Sequence, residues 1–465
     1  MLFPSTTFLL FFATLLLLFR ASRAQLWRKA VLLGASYFFY AWWDFRFLAL
    51  IGFVTLVDYA IGGFISRSTS KVRRRQLLTL SLVVNLGVLG IFKYLGFFVE
   101  SANHLLSPLG IHLGTLEIIL PVGISFFTFQ SMSYIIDIYR RSLKPCASLL
   151  DFALFVSFFP QLVAGPIVRA AEFLPQLKKP IRVLWENAER GTMLFLMGVV
   201  KKVLIADHLA IFVDQVYAAP HAFDSLTLWL AGFSYMLQIL CDFSGYSDMA
   251  IGIALWFGFR LPVNFRVPYL ATSIADFWRR WHISLSSWLR DYLYVSLGGN
   301  RRGDVRTYVN LMLTMLLGGI WHGASWSFLV WGGVHGCALA IHRLYQSRIG
   351  LWPSGRLGAI LGWALTFSIV FLCWIPFRIT DFNVAAMTVM RMFTFDGAGI
   401  SWFYAPTLLI LTLAIGAHLF ALRFPDWTPA FSLRTFRGQF LVALTVMGIL
   451  LLSPLNSSPF IYFQF

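Results

Sequence analysis

The chain has 465 residues, of which 58% are hydrophobic, 17% aromatic and only 12% charged. A soluble domain of this size could not cover so apolar a chain with a water-compatible surface, so the composition predicts an integral membrane protein. The net charge of +17 lies mostly in short links between apolar runs, as expected of cytoplasmic loops, and so does not indicate nucleic-acid binding.

Apolar runs of about 20 residues recur along the chain, and this is the length of helix that crosses a hydrocarbon core about 30 Å thick. The sequence therefore predicts an all-α membrane bundle of about eleven crossings, with further re-entrant and amphipathic helices. The candidate segments are 2–19, 30–42, 46–66, 77–99, 115–138, 150–165, 191–218, 226–257, 308–330, 326–347, 356–377, 402–422 and 438–455.

Two of these segments are not expected to be simple membrane crossings. The run 30–42 is short, and proline at positions 160 and 166 breaks any helix in the run 150–165 twice. Irregular backbone at membrane depth is tolerated only where protein or a cavity surrounds it, so we expect this segment to be re-entrant or tilted.

A polar, aromatic stretch of about fifty residues separates the segments ending near 257 and starting near 308, and the apolar spacing within it predicts an amphipathic helix over 274–293. Such a helix lies in an interface or plugs a bundle from the cytoplasmic side. Its arginines Arg279, Arg280 and Arg290 have planar guanidinium groups suited to phosphate, although positive-inside bias also explains them.

His322 is the sharpest candidate for chemistry. It lies in an apolar segment with no formal charge, next to Gly323 and between the aromatic side chains of Trp321 and Trp326. An ionisable group at membrane depth is costly and indicates function, and aromatic walls would keep this imidazole neutral and able to accept a proton. The alternative is a core histidine that hydrogen-bonds a backbone carbonyl.

His282 lies forty residues upstream on the amphipathic helix. If that helix plugs the bundle, His282 could approach His322 and orient a substrate; otherwise it is an interfacial histidine. Asp242 and Tyr246 are one helical turn apart in an apolar segment. A buried carboxylate needs a partner, so Asp242 either braces the bundle against an arginine or histidine, which we favour, or lines a polar path.

Several stretches resemble the membrane-bound O-acyltransferase family, and within it the bacterial alginate O-acetyltransferase branch. The carrying stretches are 120–130, 159–167, 242–252, 277–286, 288–294, 298–301, 319–323 and 460–465. The resemblance implies one membrane-embedded domain over 1–465, with a funnel through the bundle that lets cytoplasmic acyl-CoA reach an acceptor on the other face.

The resemblance also implies roles for individual residues. His322 matches the catalytic histidine of the family, and His282 matches a second important histidine. Acetyl-CoA is the expected donor substrate, with no metal and no permanently bound cofactor. The residues expected to contact substrate are Arg279, Arg280, Trp281, Arg290, Asp242, Tyr246 and Trp321.

For partners, the resemblance implies a periplasmic transferase of the SGNH type that modifies an exopolysaccharide, with membrane lipids around the bundle. The expected location is the bacterial inner membrane. Three alternatives stay open: transfer of D-alanine toward a cell-envelope polymer, a passive exporter, and a scaffold subunit without catalysis. A transporter would usually show internal symmetry, which this sequence lacks.

Overall fold

The computed structural model describes residues 1–114, 118–348, 350, 355–395, 397–402, 404–424, 432–454 and 458–461. Over these ranges the protein is helical, and the extended backbone amounts to one isolated bridge between Phe223 and Ile400. The all-α prediction is therefore confirmed. The closing stretch of the family resemblance lies partly outside the described residues, at 462–465.

The helices of the first half of the chain are α1 (Thr6–Arg20), α2 (Gln25–Ala41), α3 (Phe47–Arg67), α4 (Lys71–Leu89), α5 (Leu95–Leu106), α6 (Ile124–Tyr139), α7 (Leu149–Ser157), α8 (Phe159–Leu162), α9 (Ala170–Leu177), α10 (Trp185–Val199), α11 (Asp207–Ala218) and α12 (Ser225–Trp256). Those of the second half are α13 (Ile274–Arg280), α14 (Ile283–Trp288), α15 (Asp304–His322), α16 (Trp326–Arg348), α17 (Gly355–Arg378), α18 (Phe382–Thr394), α19 (Ala405–Arg423) and α20 (Phe436–Leu452). Wider π-helical turns occur at Gly90–Tyr94, Val200–Ala206 and Leu289–Tyr294.

Five helical stretches in the described ranges are long and apolar enough to cross a membrane: Phe47–Arg67, Lys71–Leu109, Ser225–Trp256, Gly355–Arg378 and Ala405–Arg423. The helices α1 and α20 are apolar but shorter. The prediction of a polytopic helical protein is confirmed, whereas about eleven crossings and a central funnel stay predictions.

Contacts divide the chain into two compact units. The first comprises residues 1–195 and 249–262. In it α2 packs on α7, and α3 packs on α4 and α6. Aromatic rings fill its core, with Phe39 and Phe159 at a centroid distance of 5.5 Å. The buried carboxylate of Asp58 accepts hydrogen bonds from Ser81 at 2.6 Å and Asn85 at 2.9 Å, which joins α3 to α4.

The second unit comprises residues 196–248 and 263–465. Its most extensive helix pair is α15 with α16, and α16 also packs on α13 and α17. Both histidines singled out from the sequence belong to this unit.

The structure corrects several predicted segments. The amphipathic helix expected over 274–293 is interrupted between α13 and α14. The two overlapping candidates at 308–330 and 326–347 separate into α15 and α16. In the described part of the candidate at 115–138, residues 118–138, helix begins at Ile124. The helix α18 was not predicted. The two breaks expected around residues 160 and 166 are present, because α7 ends at Ser157 and α8 is a single turn.

Candidate functional site

His322 is the last residue of α15, at a tight connection to α16. The backbone of Gly323 is extended there, and α16 starts at Trp326. A Cβ atom on Gly323 would lie 2.2 Å from a ring atom of Phe328, so the connection has room for glycine alone. The close turn therefore fixes where the imidazole of His322 sits.

Glycines also let α15 and α16 approach closely. A Cβ on Gly319 would lie 2.2 Å from the carbonyl oxygen of Phe328, and one on Gly332 would lie 2.4 Å from that of Met315. Small residues at such positions bring two backbones together, as in many membrane helix pairs. The position of His322 therefore depends on this contact.

Gly332→Ala is expected to destabilise the α15–α16 pair by about 3 kcal/mol, because a backbone oxygen cannot move aside without separating the helices. Gly333→Ala is the matched control on the next residue, since its Cβ would meet Leu316 at an ordinary 3.6 Å. The measurement is the thermal unfolding of both variants in one detergent, with acyl transfer assayed in parallel. Equal melting temperatures for the two variants would contradict the close-packing argument.

Aromatic rings enclose the His322 side chain, which is 3% exposed. The ring centroids of Trp321 and Trp331 each lie 5.1 Å from the imidazole centroid, and that of Phe377 lies at 5.3 Å, all three edge-on. Of the two tryptophans expected beside His322, Trp321 is thus in contact, whereas Trp326 is 60% exposed. The imidazole is held in an apolar cage that keeps bulk water away.

His282 occupies the break between α13 and α14. Its φ of 42° lies in the left-handed region, which is uncommon for a residue with a Cβ. Such strain costs of order 1 kcal/mol and persists only where surrounding contacts impose it. At this break the backbone directs the imidazole into the interior of the second unit, where the side chain is 0% exposed.

Asn264 imposes this geometry. Its backbone carbonyl accepts from the N–H of Ile283 at 3.0 Å, and its Oδ1 accepts from the N–H and the hydroxyl of Ser284 at 3.2 and 2.9 Å. Its Nδ2 donates to the hydroxyl of Ser247 at 3.3 Å. These contacts anchor the start of α14 to the segment that follows α12.

The same contacts determine the tautomer of His282. The backbone N–H of Ser284 can only donate, so the side-chain atom of Asn264 that it contacts must be the amide oxygen, Oδ1. The same oxygen lies 3.2 Å from Nδ1 of His282. The Nδ1 atom must then carry the proton, so that Nε2 carries the lone pair. A neutral His282 is therefore an acceptor through Nε2.

Trp321 joins the two histidines. Its ring centroid lies 5.9 Å from that of His282 and 5.1 Å from that of His322. On the other side of His282, the ring of Phe243 lies edge-on at 4.6 Å. The structure therefore brings the two histidines to one aromatic cluster. The sequence predicted their approach only on the condition that the amphipathic helix plugs the bundle.

Acid is expected to destabilise the fold through His282, because burial lowers the pKa of this imidazole from 6.5 to about 3. In the unfolded chain an imidazole binds a proton below about pH 6.5, so stability is full above that pH and declines on acidification toward pH 3. Between pH 7.5 and 5.0 this group should remove about 2 kcal/mol of unfolding free energy. The measurement is the unfolding of wild type and His282→Gln at both pH values. A stability difference between the two proteins that does not shrink at pH 5.0 would refute the argument.

Of the arginines expected to bind substrate, Arg279 and Arg290 are exposed and Arg280 is half-buried, and each lies beside a carboxylate of its own segment. Arg280 pairs with Asp276 at 2.8 Å and Arg290 with Asp291 at 2.6 Å, whereas Arg279 approaches Asp276 only to 3.8 Å. Because surface pairs of this kind are worth little, an anionic ligand can displace them. Their roles in binding stay predictions.

Trp281 is a core residue, 1% exposed, and its ring packs 4.9 Å from that of Trp374. Tyr246 is also buried, with its ring 4.9 Å from that of Phe460. Both side chains pack inside the second unit. Direct contact of either one with substrate stays a prediction.

Asp242 braces the bundle, the alternative that the sequence favoured, but its partner is a lysine and not an arginine or histidine. The ammonium of Lys202 lies 2.7 Å from Asp242 and 2.9 Å from Asp207, and all three side chains are almost completely buried. Asp242 also accepts from the backbone N–H of Ile461 at 2.7 Å, and Lys202 donates to the carbonyl of Ser458 at 2.9 Å. The ion cluster therefore anchors the segment 458–461. A direct role of Asp242 in substrate binding stays a prediction.

Three residues of this site are absent from the prediction based on the sequence: Lys202, Asn264 and His335. Two adjacent lysines inside the apolar run 191–218 were an available signal for Lys202. Asn264 had no local signal, because its role depends on pairing with a distant segment. His335 is buried on α16, and its ring lies 4.6 Å from that of Trp331, which also contacts His322.

Comparison with known proteins identifies related enzymes. The chain is 41% identical to the probable alginate O-acetylase of Pseudomonas putida over the whole of both chains. It is 46% identical to the probable alginate O-acetylase of Azotobacter vinelandii, over 85% of this chain and 78% of that one. It is 39% identical to the peptidoglycan O-acetyltransferase of Helicobacter pylori, over 82% and 76% respectively.

The sequence model of the membrane-bound O-acyltransferase family matches residues 47–377, which contain both histidines. The chain belongs to this family. The resemblance noted from the sequence is thereby confirmed, and the protein is a membrane-bound acyltransferase with several apolar helices. In this member of the family, both histidines contact the aromatic cluster around Trp321.

Proposed function

We propose that this acyltransferase takes an acetyl group from cytoplasmic acetyl-CoA and passes it across the membrane toward a periplasmic acceptor, for O-acetylation of an alginate-like exopolysaccharide. The observation that carries the proposal is the caged His322 beside Trp321, which also contacts His282. The relatives reported above, whose names are those of O-acetylating enzymes, support acetyl as the acyl group.

In this proposal His322 is the general base. Its imidazole takes the proton of an acceptor hydroxyl, and the hydroxyl oxygen attacks the thioester carbonyl of the donor. The C–S bond then breaks, the ester forms, and the coenzyme A thiolate receives a proton. The rings of Trp321, Trp331 and Phe377 exclude water, which would otherwise hydrolyse the thioester.

His282 is proposed to orient a reacting group. Its Nδ1–H is held by Asn264, so Nε2 presents a lone pair of fixed direction to a hydroxyl or thiol. A second fixed acceptor near the base lowers the entropy cost of aligning the acceptor hydroxyl with the thioester.

Arg279, Arg280 and Arg290 are proposed to receive the phosphates of the donor. Arg279 and Arg290 are exposed and Arg280 is half-buried, and guanidinium groups bind phosphate through two parallel hydrogen bonds. Placement of these arginines in the cytoplasm follows from charge bias. The protein would accordingly lie in the bacterial inner membrane, with an SGNH-type transferase in the periplasm as its acceptor partner.

The test uses the protein in sealed, oriented proteoliposomes with labelled acetyl-CoA on the arginine-bearing face and candidate acceptors on the other. We expect labelled ester to appear on the acceptor, and labelled D-alanyl donors to give none. Label retained only as free acetate, or transfer from a D-alanyl donor alone, would overturn the proposed acyl group. Transfer that is unchanged by loss of both histidines would overturn their proposed roles, and no transfer from any donor would favour a scaffold without catalysis.

A further inference from the structure

A cleft lined by four arginines lies at the link between α1 and α2 in the first unit. Its volume is about 670 Å³, and its lining comprises Phe19, Arg20, Arg23, Gln25, Arg28, Pro180, Arg182, Val183, Leu184 and Trp185. The lining contains no carboxylate. The cleft thus concentrates positive charge on one small surface.

The cleft is built by specific hydrogen bonds. Gln25 accepts from the backbone N–H of Ile181 at 2.8 Å, while Arg28 donates to the carbonyls of Ser22 and Ile181 and lies over the ring of Phe19 at 4.9 Å. These contacts fasten the segment before α10 to the α1–α2 link. The walls of the cleft are therefore held in place.

The other three arginines have their guanidinium groups available. Arg20, Arg23 and Arg182 are exposed and form no ion pair in the part of the chain that the structure describes. By contrast, Arg280 and Arg290 each lie beside a carboxylate. Three uncompensated guanidinium groups around one cleft favour a ligand with a negatively charged phosphate.

Apolar surface continues from the cleft. Leu184 and Trp185 in its lining are 55% and 45% exposed. A separate apolar groove of about 550 Å³ runs between α1 and α2, with Leu15, Leu18, Val31 and Phe38 among its lining. Leu18 lines the groove and Phe19 lines the cleft, so both openings reach the C-terminal end of α1.

We propose that this cleft binds the headgroup of an anionic phospholipid, with one acyl chain along the apolar groove between α1 and α2. Arg20, Arg23 and Arg182 bind the phosphate. A basic pocket at the end of membrane helices, beside an apolar groove, matches the two ends of such a lipid. A soluble phosphate would use the arginines but not the groove.

The test measures lipid binding to the purified full-length protein by native mass spectrometry. The probes are phosphatidylglycerol, phosphatidylcholine and inorganic phosphate. The variant Arg20→Gln/Arg23→Gln/Arg182→Gln is compared with Arg67→Gln/Arg73→Gln/Arg75→Gln, which removes the same charge from exposed arginines of α3 and α4.

We expect phosphatidylglycerol to bind at least about tenfold more tightly than phosphatidylcholine. Both carry a phosphate, but the choline cation of phosphatidylcholine neutralises that phosphate and is repelled by the arginines. The cleft variant should lose this preference and the control variant should keep it. If both variants lost this preference equally, general attraction between charges would explain the binding, and the proposed site would be wrong. Binding of inorganic phosphate as tight as that of phosphatidylglycerol would also overturn it, in favour of a soluble anion.

Discussion

Acyl transfer by the His322→Ala variant is expected to fall by at least about 100-fold, because general base catalysis by a positioned side chain contributes on the order of 10²–10⁴ in rate. The rings of Trp321, Trp331 and Phe377 pack around the His322 imidazole and hold it in place, so alanine removes the positioned base itself. The measurement is the initial rate of labelled acetyl transfer at matched protein level.

Two further variants make the His322 result interpretable. His322→Gln keeps a polar side chain of similar length without a base, so it should be as inactive as alanine while folding normally. His418→Ala removes an imidazole on α19, whose Nδ1 lies 2.8 Å from the carbonyl of Ala414, and should retain activity. If His322→Ala folds and transfers acetyl at the wild-type rate, His322 is a core histidine and the proposed base is wrong.

Lys202→Met is expected to destabilise the second unit by about 3–5 kcal/mol, because it leaves two buried carboxylates without their cation. Asp207 and Asp242 lie 2.9 and 2.7 Å from the ammonium, and their side chains are 1% and 4% exposed. The anchored segment 458–461 would also lose the hydrogen bond from Lys202 to Ser458. The measurement is thermal unfolding in detergent, together with the yield of folded protein.

The neighbouring lysine supplies the matched control. Lys201 pairs with Asp248 at 2.6 Å, but the two side chains are 31% and 20% exposed, so water compensates for part of the loss in Lys201→Met. We expect a markedly smaller decrease in melting temperature than for Lys202→Met. Asp242→Asn should fall between the two, since Asp207 still balances Lys202. Equal decreases in melting temperature for Lys201→Met and Lys202→Met would show that the burial of an ion pair does not determine the cost of breaking it.

Much of the site was predictable from the sequence because its signals are local. His322 stood out since one imidazole in an uncharged apolar run is costly unless it is used. The polar stretch before residue 308 likewise identified His282. The interruption of its helix was not predictable, because the left-handed conformation of His282 is imposed by Asn264, eighteen residues earlier in the chain.

The sequence by itself determined the class of molecule, because hydropathy and charge placement act through the solvent and need no partner: an all-α membrane protein with basic links and two notable histidines. Tertiary structure alone decided which groups meet. Trp321 contacts both histidines, Lys202 lies between Asp207 and Asp242, and Gly332 lets α16 touch α15. The contacts of Trp321 with His282 and of Lys202 with Asp242 join residues far apart in the chain, and packing geometry, which no local pattern encodes, selects them.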